Sequence, residues 1–476
     1  MLTKATPLTT LRTLLRDSRA LASLAVPLIL TQLSQVALTT TDTVMMGMLG
    51  TEELAAGGLA LVIFNQLRTM GVGLVTSVAN QVAAAAARAE KAAGTGGDAA
   101  ASAAEVRGIV RAAMALATLA GLLGAVLMLL IGETLTWLGQ DADVVVLVQE
   151  MLLALAPGLL PCLWFQALRQ FTVGMRRPQA LIHIAVTSVA VNAGLNWVLI
   201  HGTWGLPELG LTGIALSTSC VHLLTFVALY LLARRDAELG PLLSLNVLKA
   251  DPATVRRLTG LGIPVAATYG SEAGFFSVTA LIAGAFGPAA LAAHTAVNQL
   301  VSLVFQVAVG LSHAASITVS RELALGRTDR ARSVRNTALA CAAAVMAAVG
   351  LVYLTVPDLV LAPFMDSGTE AQRALDIAAQ LLIVTAFLQF FDCAQNIGVG
   401  LLRGLDDTKS GFRITLIGYW VVGLPTVWVF SHALGLDTLG IWLGLLTGLA
   451  TTAVLLLRRY AAALTEKEKA LAADGT

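Results

Sequence analysis

The sequence predicts an all-α polytopic membrane protein, with twelve transmembrane helices arranged as two six-helix lobes. Three observations carry that prediction: a composition poor in charge, twelve apolar segments of spanning length, and an internal repeat about half the chain long. Of the 476 residues, 57% are hydrophobic and 12% charged, and the mean hydropathy is +0.80. A soluble domain carries about 25% charged residues, so half that share over this length excludes an ordinary water-soluble fold. The net charge of +1 offers no basic field for nucleic acid.

A helix needs about 20 apolar residues to cross a bilayer. Such segments fall near 21–48, 54–82, 109–131, 144–171, 179–201, 207–232, 258–285, 290–318, 334–358, 371–401, 410–432 and 438–457. The first has no small-residue cleavage site behind it and reads as a membrane span rather than a signal peptide. Lys and Arg accumulate on cytoplasmic connections, which tests the count. With both termini inside, 28 of the chain's 30 basic residues fall on inner segments; only Arg373 lies on an outer loop and Arg68 within a span. A wrong number of spans would scramble that alternation. The expected location is therefore the cell (inner) membrane, multi-pass, with both ends cytoplasmic.

The stretch from Glu90 to Glu105, "EKAAGTGGDAAASAAE", reads as a flexible connection. The basic stretch 234–257 at mid-chain is the natural linker, dividing an N-lobe (1–233) from a C-lobe (258–476). The halves match. A shift of 237 residues lays "LAVP" from Leu24 on "LGIP" from Leu261, Gly47 on Gly284, and "GL" at Gly73 on "GL" at Gly310; a shift of 230 lays Gly174 on Gly404 and "LG" at Leu209 on "LG" at Leu439. Six is even, so both units enter the membrane from the same side and form parallel repeats. Transporters place their substrate sites at such repeat interfaces.

Three carboxylates lie deep in the spans: Asp42 in the first, Glu272 in the seventh and Asp392 in the tenth. Each belongs to a polar stripe at helical spacing: Gln35, Thr39 and Asp42; Tyr269 and Glu272; Gln389, Asp392 and Asn396. Ser188, Asn192 and Asn196 repeat every four residues in the fifth span. These spacings share one helix face. Asn and Ser stripes also serve as interhelical glue. An acid at membrane depth, however, costs about 2.5–3.5 kcal/mol on insertion scales, and Arg68 can neutralise one of the three at most. The others call for cations or protons. Under the shifts Glu272 falls on Gln35, Asp392 on Cys162 and Asp42 on Thr279, so the polar chemistry of the halves has diverged and a cation site is concentrated in the second.

Other chemistry lacks its motifs. Cys162, Cys220, Cys341 and Cys393 stand far apart inside apolar segments. The six histidines show no H-E-x-x-H spacing, and there is no G-x-x-x-x-G-K-[ST]. His294 and His313 read as polar core or pore-lining residues. No nucleophile stands beside a base, so the chain does not read as an enzyme and no cofactor is expected.

The segments "LAVPLILTQLSQVALTTTDTVMMGMLG", "SEAGFF" around Glu272, "VNAGLNWVLIHG" from Val191 and "FFDCAQNIGVGLLRGLDDTK" from Phe390 resemble the multidrug and toxic compound extrusion (MATE) family, in its NorM-like branch, over about residues 20–457. The resemblance implies a V-shaped pair of six-helix lobes that exports amphipathic, often cationic, organic compounds in exchange for Na⁺ or H⁺. It also implies that Glu272 and Asp392 bind the coupling cation (metal ligands if that cation is Na⁺), with Tyr269 and Asn396 beside them. Asp42 matches the first-lobe acid that other branches protonate, with Gln35, Thr39, Asn192 and Asn196 as its polar cluster. Some branches carry an acid where Asn196 stands, which weakens a purely first-lobe proton mechanism here. Burial penalises an ionised carboxylate while a bound cation favours it, so one site serves either ion. Met45, Phe275, Phe276, Phe305 and Phe387 are expected to wall the substrate cavity. The expected partners are small organic cations and the lipid bilayer, with no nucleic acid, and the chain is expected to be a monomer. The alternative, a flippase for a lipid-linked precursor, needs a basic cavity for a pyrophosphate, and Arg68 alone faces three acids.

The charge asymmetry predicts that a fluorescent reporter fused after Thr476 is active and an alkaline phosphatase fusion there is not, with the reverse at Gly435. An outward C-terminus would overturn the helix count.

Overall fold

The computed structural model describes residues 7–94, 99–138, 142–205, 207–364 and 369–474; Lys4, the 95–98 stretch and Thr476 lie outside them. Twelve long helices run in chain order among the described residues, with no strand. They are α1 (Pro7–Leu49), α2 (Thr51–Gly94), α3 (Ala99–Thr134), α4 (Ala142–Gly174), α5 (Gln179–His201) and α6 (Gly210–Arg235). After the connection follow α7 (Pro252–Gly284), α8 (Pro288–Ala324), α9 (Thr328–Thr355), α10 (Thr369–Gly404), α11 (Thr408–Ala433) and α12 (Asp437–Asp474). Eleven are long and apolar enough to cross a membrane by length and composition. The twelfth, α7, is as long, but Thr268, Tyr269, Ser271 and Glu272 interrupt its apolar run. Several helices outrun their apolar segments: α1 starts at Pro7 and α12 continues to Asp474. An apolar count sees only the part at hydrocarbon depth.

Two of the basic residues assigned to inner connections sit elsewhere. Arg169 and Arg403 are buried, each 2% exposed, near the ends of α4 and α10. Arg403 donates through Nε to Ser316 Oγ at 3.2 Å, and Arg169 through Nη1 to Gln166 Oε1 at 3.1 Å.

The chain divides into two compact units, and the division does not fall at 234–257. One unit comprises Leu30–Gly270; the other comprises Met1–Ile29 and Ser271–Thr476. Both cuts lie inside helices, in α1 and α7, the first helix of each repeat, each of which carries an internal proline (Pro27, Pro264). Glycine explains the exchange. In the Leu30–Gly270 unit a Cβ on Gly73 of α2 would stand 2.7 Å from the Ala266 Cα of α7, and in the other unit a Cβ on Gly310 of α8 would collide with Ile29 of α1. Gly310 is Gly73 plus 237, and Ala266 is Ile29 plus 237. Only a residue without a side chain lets these backbones touch, so each repeat's second helix holds the first half of the other repeat's first helix.

The repeat recurs elsewhere at atomic detail. A Cβ on Gly174 would meet Ala79 O at 2.7 Å and Val82 Cβ at 2.8 Å; one on Gly404 would meet Ser316 O at 2.7 Å and Val319 Cβ at 2.9 Å. The turns that follow are alike, with Arg176 (φ 60°) and Asp406 (φ 63°) left-handed, and with Arg177 N donating to Thr172 O as Asp407 N donates to Leu402 O. Their side chains then diverge. Arg177 pairs with Asp236 at 3.0 Å, whereas Asp407 caps α11 and accepts from Arg459 at 2.8 Å. Asp236, at the end of α6, also accepts the Leu239 and Glu238 N–H groups, and these donors with Arg177 hold its carboxyl below the usual range.

Each unit has its own core. Met46, Phe64, Met128, Met151, Leu155 and Ile214 centre the Leu30–Gly270 unit; Phe275, Leu381, Tyr419, Trp442, Leu445 and Leu449 centre the other. In the latter, α11 opens into wide π turns over Ile417–Gly423 and Val429–Ala433. Gly418 and Gly423 lie there against Thr452 and Gly448 of α12. Such turns rotate the helix face and concentrate at functional sites.

The Gly73 contact predicts that Gly73→Ala lowers stability by about 1–3 kcal/mol, the usual cost of overpacking. Gly58→Ala, with nothing within 4 Å of its Cβ, should be neutral or stabilise by up to about 1 kcal/mol. Thermal unfolding in detergent separates the two, and equal midpoints would refute the close approach.

Candidate functional site

In the Leu30–Gly270 unit, α1, α5 and α6 converge on Asp42, which is 2% exposed. Asn196 Nδ2 donates to its Oδ1 at 2.8 Å and Thr218 Oγ1 to its Oδ2 at 2.9 Å; Asn196 Nδ2 also reaches Asn192 Oδ1 at 3.4 Å. The helical spacing of Asn192 and Asn196 aims both at α1, and both are buried. Ser188 of the same stripe is spent on its own helix, donating to Ala185 O. Thr39 and Gln35 lie one and two turns before Asp42 and line the same pocket, with Thr39 Oγ1 donating to Gln35 O at 3.2 Å. Thr218 carries no signal in the sequence: "GIALSTSC" is apolar with scattered hydroxyls and shows no stripe.

Arg68 of α2 lines that pocket too, together with Asn65 and His222. Its Nε donates to Asn65 Oδ1 at 3.2 Å. Among the described residues no ion pair joins it to Asp42 or to any other carboxylate. The cavity these groups enclose is about 20 Å³, room for about one water.

In the other unit, Glu272 of α7 and Asp392 of α10 are buried, 8% and 4% exposed, and lie within electrostatic reach of each other. Tyr419 Oη donates to Glu272 Oε1 at 3.2 Å. That phenol is braced from both sides: its ring stacks on Phe275, centroids 4.9 Å apart and planes 9° apart, while the π turn that carries it packs on α12. Trp420 adds a second link to α7, donating to Ser271 Oγ at 2.8 Å. Asn396 Nδ2 donates to Asp392 Oδ1 at 3.2 Å, to Asp392 O at 3.0 Å and to Gln395 Oε1 at 3.1 Å. Neither acid pairs with a Lys, Arg or His among the described residues.

Asn396 thus stands beside Asp392, one helical turn on. Tyr269 lies in the Leu30–Gly270 unit, with its ring against Gly73 and within reach of Arg169. The tyrosine that meets Glu272 is Tyr419. Its signal was available, since the 230-residue shift lays Tyr419 on Val189, a mismatch of the same kind as Asp392 on Cys162.

The aromatic wall is only partly a wall. Phe275 has no exposed surface and belongs to the core, because its ring is covered by Tyr419. Phe276 packs against the same core, Met45 against the core of the Leu30–Gly270 unit, and Phe305 is half-buried. Phe387 is 58% exposed. His294 is buried against Trp442 with ring centroids 5.6 Å apart, and His313 is buried as well.

Known proteins resemble this chain in sequence and in fold. The MatE family model matches residues 27–198 and 264–429, two stretches whose starts stand 237 residues apart. The chain is 37% identical over 448 residues to a probable multidrug resistance protein NorM of Bradyrhizobium diazoefficiens, covering 92% of this chain and 91% of that protein. It is 35% identical to the protein so named in Pseudomonas aeruginosa, covering 92% and 88%. Among solved structures, the eukaryotic MATE transporter AtDTX14 superimposes with a TM-score of 0.79 at 20% identity, covering 96% of this chain and 99% of that one. An outward-facing multidrug resistance MATE family transporter of the MOP superfamily superimposes with a TM-score of 0.82 at 18% identity, covering 96% and 98%. Matched over both repeats by the family model and over nine-tenths of its length by the NorM proteins, the chain belongs to the MatE family of multidrug efflux transporters.

Proposed function

We propose that the protein is a secondary active antiporter of the inner membrane, acting as a monomer with both termini cytoplasmic, that exports amphipathic, often cationic, organic compounds in exchange for Na⁺ or H⁺. One observation carries the coupling: two buried carboxylates, Glu272 and Asp392, within electrostatic reach of each other and without a basic partner among the described residues. Two acids in a low-dielectric interior favour a shared proton or a bound cation over two free charges. The groups at hand, two carboxylates, a phenol and amide oxygens, are oxygen donors, the class that hard cations take. Antiport then needs only that the cation and the organic substrate favour opposite states of the alternating-access cycle.

Asp42 has a different environment. Both of its oxygens accept hydrogen bonds from neutral donors on α5 and α6, which supports a role in holding those helices together or in contacting substrate more than a role as sole coupling acid.

Efflux of a cationic dye from proteoliposomes, under Na⁺ and pH gradients imposed separately, tests the reading. Glu272→Gln and Asp392→Asn should each abolish gradient-driven efflux at normal expression, while Asp42→Asn should impair it less. Cation binding to purified protein discriminates further: if Asp42→Asn erases it and the other two variants keep it, the coupling site belongs with Asp42.

Tyr419→Phe removes one donor to a carboxylate, worth about 1.5–3 kcal/mol for a charged acceptor. The cation concentration giving half-maximal coupling should shift by about tenfold or more, with thermal stability little changed because the ring still stacks on Phe275. An unshifted curve would reduce Tyr419 to a packing residue.

A further inference from the structure

An open groove of about 250 Å³ runs between α5 and α6 and shares only Val221 with the cavity at Asp42. Its α5 wall extends from His183 to Val191, a rise of about 12 Å, and its α6 wall from Val221 to Ala228, about 10 Å. The hydrocarbon of one leaflet is about 15 Å deep, so the groove has the length of most of one acyl layer. Its volume falls below the about 300–1,000 Å³ of sites for drug-sized ligands. Ile184, Val191, Val221, Leu224 and Ala228 offer no side-chain donor, and the hydroxyls of Ser188 and Thr225 are spent on Ala185 O and His222 O of their own helices. Only the hydroxyl of Thr187 is left for a guest along the walls. Leu224 also continues into an exposed stripe of Leu223, Val227 and Leu231 on α6, a surface suited to acyl chains. The two ends of the groove differ. Val191 and Val221 close one end with apolar groups, whereas His183 stands at the other, where α5 begins after Arg176 and Arg177 and α6 ends at Arg234 and Arg235. Arg177 is neutralised by Asp236 and Glu238. Arg176, Arg234 and Arg235 are exposed and pair with no carboxylate among the described residues. Arg235 follows Leu224 and Ala228 at helical spacing, on the face of α6 that lines the groove.

We propose that this groove holds one acyl chain of an anionic phospholipid, with the phosphate at Arg235 and His183. The apolar walls take the chain and the unpaired guanidinium groups take the headgroup. Charge makes the choice among lipids, because a zwitterionic headgroup brings no net charge to those arginines and an anionic one does. A chain in the groove braces α5 against α6, the two helices that deliver Asn196 and Thr218 to Asp42. Lipid capture there is independent of which ion drives efflux.

The test is lipid binding to purified, delipidated full-length protein, read by native mass spectrometry. Dioleoyl phosphatidylglycerol and dioleoyl phosphatidylcholine share their chains and differ in headgroup charge, and the readout is the ratio of their dissociation constants. Wild type should favour phosphatidylglycerol by about tenfold, from more than one arginine at the headgroup. Arg235→Gln should weaken phosphatidylglycerol by about fivefold, the worth of one arginine near an anionic surface, and leave phosphatidylcholine unchanged. Arg256→Gln removes an exposed arginine at the start of α7 that does not line the groove, and it should change neither. Ala228→Trp fills the groove and should weaken both lipids; should it fail to fold, Arg235→Gln against Arg256→Gln decides. A wild type that binds neither lipid or binds both equally, or equal losses in Arg235→Gln and Arg256→Gln, would overturn the assignment. A folded Ala228→Trp that keeps both lipids would overturn it too, and loss of rhodamine 6G binding in that variant would give the groove to a transported compound instead.

Discussion

No water is available at hydrocarbon depth to solvate a polar group, and that constraint governs the charged side chains buried within the spans of this molecule. A carboxylate there must be covered by donors, neutralised by a base, or served by an ion that comes and goes. The two units meet the demand differently. Asp42 is covered: two helices bring neutral donors to its two oxygens. Glu272 and Asp392 are not covered to the same degree, receiving one phenol and one amide donor with a second negative charge nearby. The first arrangement is complete without a partner from outside. The second leaves two acids near each other with fewer donors, and the proposed coupling rests on that difference.

Those polar groups are held by backbone contacts rather than by bonds of their own. Gly73 lets α2 close on α7, Gly310 lets α8 close on α1, and Gly174 and Gly404 let the ends of α4 and α10 settle against the carbonyls of Ala79 and Ser316. Between helices in lipid there is little hydrophobic drive, so close approach through small residues supplies the adhesion. The π turn of α11 extends the same principle. Glycines at 418 and 423 let the widened turn press on α12, and that pressure sets Tyr419 against Phe275 and points its hydroxyl at Glu272.

Much of this was legible in the sequence, for reasons that differ from feature to feature. The twelve helices followed from spanning length and basic-residue alternation, both set by bilayer thickness and surface charge. The Asp42 cluster followed in part, because Asn192 and Asn196 repeat at helical spacing; Thr218 did not, because a lone hydroxyl in an apolar helix has no period. Tyr419 escapes stripe reading for a related reason, since a π turn breaks the 3.6-residue register, although its mismatch with Val189 in the repeat marks it. The linker at 234–257 looked like the boundary because it is long and basic. The compact units divide instead inside α1 and α7, where only pairwise glycine contacts, invisible to composition, bind each half-helix to its neighbours. Phe275 read as a cavity wall, although an aromatic residue beside an acid serves as well to brace the group that bonds to that acid.

An internal repeat also separates what the scaffold requires from what the chemistry requires, within one chain. Where the halves agree, as at Gly73 and Gly310 or Val82 and Val319, backbones or small side chains touch and any change would open the packing. Many of their differences exchange one apolar residue for another, but a few are polar: Gln35 against Glu272, Asp42 against Thr279, Cys162 against Asp392, Val189 against Tyr419, and Arg68 against Phe305. Packing alone would favour the apolar member of most of these pairs, because burying a polar or charged group in lipid or protein costs several kcal/mol unless something compensates. For Glu272, Asp392 and Asp42, hydrogen bonds from neighbouring helices or the next turn offset part of that cost. Taken together, the polar members set two acids in one unit and an acid with a guanidinium in the other.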